Sequence, residues 1–353
     1  MGKGSAAIVL ILSCIFLVNS LALAENSGEE PYAERLGPLA IRNQMPLYLF
    51  YLQIVPDKAE VTEKSKFLIN ADYTVSNITV SAFTPSVSQY MGNYIVDIDL
   101  EVSRVTLDLR YGLYDNLEIG LEVPYLSLSR GYLDNFIEGI EDGIGARTPR
   151  SRERQGSYNF DYSLRYNGTY LIQEKHSTGP GIGDIVLNAK YHLLKEKSWF
   201  LPNVSLRSAI KFPTAEEKDL LGSGEFDYGA GILIDKGFFD RVFLYLGANV
   251  MRIESPSFLS QLSINKEYFS GLLALECFFT RRFSVVTQVT GNTTPYPYSD
   301  TNALDNDGYE LGIGFNYALK EKTDIGWNFG ISENITAASS ADVTFHTGLN
   351  WKF

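Results

Sequence analysis

The sequence predicts an all-β fold: a transmembrane, antiparallel, up-and-down β-barrel of about twelve strands. Three observations lead there. From about Lys66 onward, segments of period-2 alternation return again and again between turn signals. Beyond the first two dozen residues, no apolar run is long enough for a spanning helix. The alternating positions also split by chemistry: aliphatic and aromatic chains on one face, full charges mixed with glycine on the other. A soluble two-layer sandwich would bury the apolar face just as well, but it does not ask for charges and glycines together opposite it. Composition agrees, with 22 Tyr, 21 Phe and 30 Gly, the interfacial anchors and small residues that a membrane barrel uses. With 45% hydrophobic and 20% charged residues, the chain is too apolar for disorder. A net charge of −12 argues against nucleic acid as a partner, because phosphate neutralisation needs a Lys and Arg surplus.

Residues 1–24 read as a secretory signal: Lys3 is the charged start, Ala6 to Val18 the apolar stretch, and Ala22-Leu23-Ala24 the small-residue cleavage site. An uncleaved anchor is the bland alternative, but Asn19 and Ser20 interrupt the apolar run. Cys14 leaves with the signal. Cys277 then stands alone, so neither a disulfide framework nor a Cys-based metal site is expected within one chain. No metal and no cofactor are predicted. Residues 25–64 contain Gly37-Pro38-Leu39, Arg42-Asn43-Gln44 and the apolar run Leu47 to Val55. They are expected either to tuck into the lumen as a plug or to lie in the periplasm.

Residues 65–353 form the expected barrel. Val105, Leu107, Leu109 and Tyr111 alternate with Thr106, Asp108, Arg110 and Gly112; after a turn at Asp115-Asn116, Leu117, Ile119, Leu121 and Val123 alternate with Glu118, Gly120 and Glu122. The same pattern marks strands around 184–191, 204–212, 226–232, 309–317 and 324–331, with less clean facing at 242–251, 268–279 and 283–292. Short turns fall near 112–116, 195–198, 236–240, 280–281 and 320–322. Long connections fall near 81–100, 129–180, 213–223, 253–266, 294–306 and 334–341. Their alternation gives about twelve strands with both ends periplasmic. A hairpin near 157–173 then lies inside the long extracellular loop 129–180; if it spans instead, the count becomes about fourteen.

The inward charges Asp108, Arg110, Glu118, Glu122, Asp184, Lys190, Arg207 and Lys211 come from neighbouring strands, where opposite signs can pair across the wall. They read either as a polar path for a small solute or as a salt-bridge network filling the lumen. In the long loop, Leu133, Phe136, Ile137 and Ile140 recur at helical spacing and predict a short lid helix. Arg147, Arg150, Arg152 and Arg154 follow, a cluster suited to lipopolysaccharide phosphates or simply to solvent. The last strand places Val343, Phe345, Thr347, Leu349, Trp351 and Phe353 on one face. The final four aromatic and aliphatic members, Phe345, Leu349, Trp351 and Phe353, resemble the terminal signal read by the barrel assembly machinery. Enzyme signals are weak: His192 and His346 lack a Ser two residues on, and 179–183 is a Gly-rich run that precedes a strand instead of linking a strand to a helix.

Several motifs resemble an uncharacterised family of proteobacterial outer-membrane proteins: Gly37-Pro38-Leu39 with Arg42-Asn43-Gln44 and Pro46-Leu47, the hairpin Tyr111 to Pro124, the loop run 131–139, and Gly181-Ile182-Gly183-Asp184. The resemblance implies location and fold and brings no activity with it. More loosely, Phe212-Pro213-Thr214 and Gly222-Ser223-Gly224 resemble barrels linked to uptake of hydrophobic compounds. The functional expectations are a passive small-solute channel gated by the long loop, with outer-membrane lipid, lipopolysaccharide and the assembly machinery as partners. The alternatives are a closed barrel with a structural or interaction role, which a lumen filled by Leu36 to Ala59 would favour, and an acyl-chain enzyme dependent on His346.

Overall fold

The computed structural model describes residues 35–353 except 86–91, 132, 134–159, 198, 199, 239, 240, 263, 297, 320–323 and 337. Its strands are β1 (Phe67–Phe83), β2 (Tyr94–Tyr114), β3 (Leu117–Ser129), β4 (Asp161–Tyr166), β5 (Thr169–Glu174), β6 (Gly181–Ile182), β7 (Ile185–Leu194), β8 (Asn203–Phe212), β9 (Asp227–Phe238), β10 (Val242–Arg252), β11 (Glu267–Phe278), β12 (Phe283–Asn292), β13 (Gly308–Ala318), β14 (Ile325–Asn334) and β15 (Val343–Lys352). Twelve of them form a closed antiparallel ring in which β1 to β3 and β7 to β15 follow one another around the wall. The seam is β1 against β15, in register from Leu68↔Lys352 to Asn77↔Val343.

The faces follow the period-2 pattern. Val105 and Leu107 point outward at 47% and 40% exposure, while their neighbours Thr106 and Asp108 point inward at 5% and 7%. Bare in water, such a surface is unfavourable; against hydrocarbon it is the required one. Aromatic rings gather at the short-turn end. Tyr111 meets Phe67 at 4.7 Å, Phe67 meets Phe353 at 5.6 Å, and Phe353 meets Trp351 at 5.0 Å. Farther round, Trp327, Phe315 and Phe283 continue the band.

Two expectations change. Residues 81–100 are not mainly a loop, because β1 and β2 stay paired up to Phe83↔Ile95. The reason is that the inward chains of this extension, Ile78, Val80, Val96, Ile98, Leu100 and Val102, are apolar and fully packed, so the polar-inside rule fails there. The hairpin expected near 157–173 is β4–β5, and it does not join the ring. It docks on the extension of β2, Tyr94↔Tyr166 to Asp99↔Asp161, beyond the end of β3. The ring therefore has twelve strands and not fourteen.

Candidate functional site

The lumen is occupied by the chain's own residues 35–65. The segment rises along β11 to β14, turns at the 3₁₀ stretch Pro46–Tyr48, and descends past β8, β9 and β3 to Lys64, which bridges Gly112. It is neither helix nor strand over most of this course, so its buried backbone groups need partners elsewhere. Wall side chains supply them. Leu39 N donates to Gln288 Oε1 at 2.8 Å and Gln288 Nε2 returns to Leu39 O at 3.2 Å. Gly37 N donates to Glu276 (3.2 Å), Leu52 N to Asp227 (2.8 Å), Ala59 N to Asp235 (2.5 Å) and Thr62 N to Glu118 (2.6 Å). Lys211 Nζ donates to Phe50 O and Arg207 Nη1 to Val55 O, both at 2.6 Å.

Glycines on the inner face make room. A Cβ at Gly330 would lie 2.5 Å, and one at Gly314 2.7 Å, from Leu39 Cδ1. A Cβ at Gly112 would lie 2.0 Å from Glu63 O. At the turn, Met45 to Leu52 join the apolar extension of β1 and β2, Leu126 and Leu128 of β3, and Leu259, Tyr268, Tyr296 and Leu304 in one buried cluster. This half of the lumen is closed by packing.

The other half is charged. Among the residues the sequence singles out, Arg110 pairs with Asp108 (2.6 Å) and lies 3.6 Å from Glu118; Lys190 reaches Glu118 at 3.2 Å, and Lys211 reaches Asp184 at 3.1 Å. Arg207 bonds to Asn249 rather than to a carboxylate. The filling segment adds charges that wall periodicity does not reveal: Asp57 bridges Arg110 (2.7 Å) and Lys190 (2.8 Å), and Arg42 pairs with Glu122 (2.8 Å). Asp227, 2.9 Å from Lys211, was visible only as an inward position in an alternating run. At the short-turn end, Arg35 and Lys236 both hold Glu196. Burial alone would raise the Glu196 carboxyl, but the hydrogen bonds from Lys236 and Arg35 outweigh it and hold it below the usual glutamate range.

A cavity of about 180 Å³ lies between the rising arm and β1–β3 and β13–β15. It extends from Asp324 and Lys352 inward to Arg42, Arg104 and Glu122. His346 has Asp72 Oδ1 3.5 Å from Nε2 and Thr74 Oγ1 3.3 Å from Nδ1. Leu133 is buried, its amide donating to Glu101. Phe136, Ile137, Ile140 and the arginines Arg147, Arg150, Arg152 and Arg154 lie outside the described residues. Leu349, Trp351 and Phe353 face outward from the seam strand and its end.

An apolar belt outside, a partly charged interior and strands that close on themselves define a transmembrane β-barrel of the outer-membrane type. More particularly, the chain belongs to the family described as "Protein of unknown function (DUF3187)", whose model matches residues 10–353. No functionally curated protein matches it. Among solved structures it is similar in fold to the COG4313 outer membrane channel from Pseudomonas putida F1, at 12% identity, TM-score 0.55, over 85% of this chain and all of that one. It also matches the NanC porin (8%, TM-score 0.44, 81% of this chain and 100% of that one). The toluene transporter TbuX from Ralstonia pickettii matches at 9%, TM-score 0.37, over 91% and 96%.

Proposed function

We propose that this protein is a small-solute channel of the Gram-negative outer membrane that rests shut, with residues 35–65 as its stopper. The observation carrying this reading is how the stopper is held. Among the described residues its backbone meets a strand's backbone only at its end, where Lys64 bridges Gly112 and Ser65 N donates to Gly112 O; along the lumen its backbone is bound by wall side chains, contacts that water can replace one by one. The charged half already contains a cavity continuous with the short-turn end, which is taken to face the periplasm. Partial withdrawal would connect that cavity to the other side. The stopper, rather than the long loop alone, then acts as gate.

A closed barrel with a structural or surface-interaction role is the second reading. It is favoured by the turn of the stopper, which is buried in an apolar cluster and not merely resting in polar groups.

Single-channel recording separates the two. The full mature chain should show rare openings, and deletion of residues 25–64 should give steady conductance. Cross-linking residue 59 to 205 through Ala59→Cys with Ser205→Cys should abolish the rare openings of the full chain. A bilayer that stays sealed with both the full and the shortened chain, each verified as a folded barrel, rejects the channel reading in favour of the closed barrel.

A further inference from the structure

The inner end of the cavity holds polar groups that the stopper does not satisfy. Arg104 is the last polar inward residue of β2 before the apolar Val102, Leu100 and Ile98; it lines the cavity and is 6% exposed. Its Nε has no hydrogen-bond partner among the described residues, and no ion pair reaches it. Glu122, the carboxylate that acts on it from the same cavity wall, is already paired with Arg42 at 2.8 Å. A buried guanidinium without a partner is costly. Two acceptors lining the same cavity are equally unmatched: Gln44 Oε1 and Asn328 Oδ1, both buried and without a donor.

We propose that this end of the cavity binds a small monocarboxylate carrying hydroxyl groups, the carboxylate on Arg104 and the hydroxyls on Gln44 and Asn328. This rests on the channel reading and names its solute class. The planar guanidinium fork matches a carboxylate. One negative charge matches the one guanidinium left without an ion pair, whereas a second would sit near Glu122. The two acceptors ask for donors, which hydroxyls supply and a simple fatty or halide anion does not. The volume suits a molecule of a few carbon atoms.

Calorimetric titration of the full mature chain in detergent tests it, with glycerate as probe and acetate, glycerol and chloride as comparisons at matched ionic strength. Glycerate should bind saturably at one site, more tightly than acetate, with glycerol and chloride silent. Arg104→Gln should weaken glycerate at least about tenfold, the loss of a charge-assisted hydrogen bond. Arg104→Lys, which keeps the charge and loses the fork, should fall between. It also serves as the readable variant should Arg104→Gln fail to form a heat-modifiable barrel. Absence of saturable glycerate heat, equal binding of glycerol or chloride, or an unchanged affinity in the folded Arg104 variant overturns the site. Acetate equal to glycerate overturns the hydroxyl requirement. Because binding is read apart from conductance, a sealed bilayer with intact glycerate binding would reject the channel and leave the site standing.

Discussion

Removing Arg42 should loosen the stopper through the carboxylate it leaves behind. Arg42 Nη1 lies 2.8 Å from Glu122 Oε1 and 3.3 Å from Gln53 O, and the Arg42 and Glu122 side chains are about nine-tenths buried. Substitution Arg42→Met fills similar space and leaves Glu122 with only Arg104 and Arg110, neither in hydrogen-bond contact with it, a loss of at most about 3–5 kcal/mol for a broken buried pair. That penalty applies while the stopper is seated and is relieved when water reaches Glu122, so it biases seating and not the barrel. At about 1.4 kcal/mol per factor of ten, open probability should rise, by at most about a hundredfold to a few thousandfold. Planar-bilayer recording measures it directly. Hydrogen exchange at Leu39 and Leu52, whose amides are held by Gln288 and Asp227, should accelerate in parallel. Adding Glu122→Gln removes the stranded charge and should return most of the effect, a coupling the double-mutant cycle isolates. Arg42→Met with wild-type open probability and wild-type exchange in an intact barrel would refute the reasoning.

Three further outcomes are expected. Gly112→Ala should unseat the end of the descending arm, because its new Cβ would lie 2.0 Å from the backbone oxygen of Glu63; unchanged protection of residues 55–65 from protease in the folded variant would show that this close approach is not required. Acid should loosen the base of the stopper: Glu196, ordinarily near 4.5, is held lower in the folded protein by Lys236 and Arg35, so its contribution is full above that range and is lost as pH falls through the depressed value. Protease access to residues 35–45 should therefore rise on acidification, and the Glu196→Gln variant should already be accessible at neutral pH. Phe353→Ala, which removes ring contacts to Phe67 and Trp351 at 5.6 and 5.0 Å, should lower the yield of heat-modifiable barrel in isolated membranes while leaving total protein level similar.

The wall was legible because its rule is local. In β2 and β3 each residue's side is decided by its neighbour two positions away, and the turn between Tyr114 and Leu117 is marked by Asp115-Asn116. The extension of β2 hid itself for the same reason: Val96, Ile98, Leu100 and Val102 carry the alternation, but with apolar chains turned inward, so their strand read as a connection. The stopper is a different kind of problem. Leu39 meets Gln288 across a separation of 249 residues, and the segment has no period to betray which wall it faces. Asp57 and Arg42 thus gave no sign of completing the charge pairs that the wall leaves open. Arg104 was equally hidden, since the inward position that exposes it became apparent only with the register Thr74↔Arg104.

Both ends of the lumen segment lie at the same rim: Arg35 pairs with Glu196 of the β7–β8 turn, which Lys236 of β9 also holds, and Lys64 bridges Gly112 beside the β2–β3 turn. The segment is therefore a finger and not a thread. It can enter or leave a finished ring without a chain end passing through the hole and without parting any of the pairings from Leu68↔Lys352 to Asn77↔Val343 at the seam. Assembly of the cylinder and loading of its interior are topologically independent events, so a motion of this segment leaves the sealed wall, and the lipid around it, undisturbed.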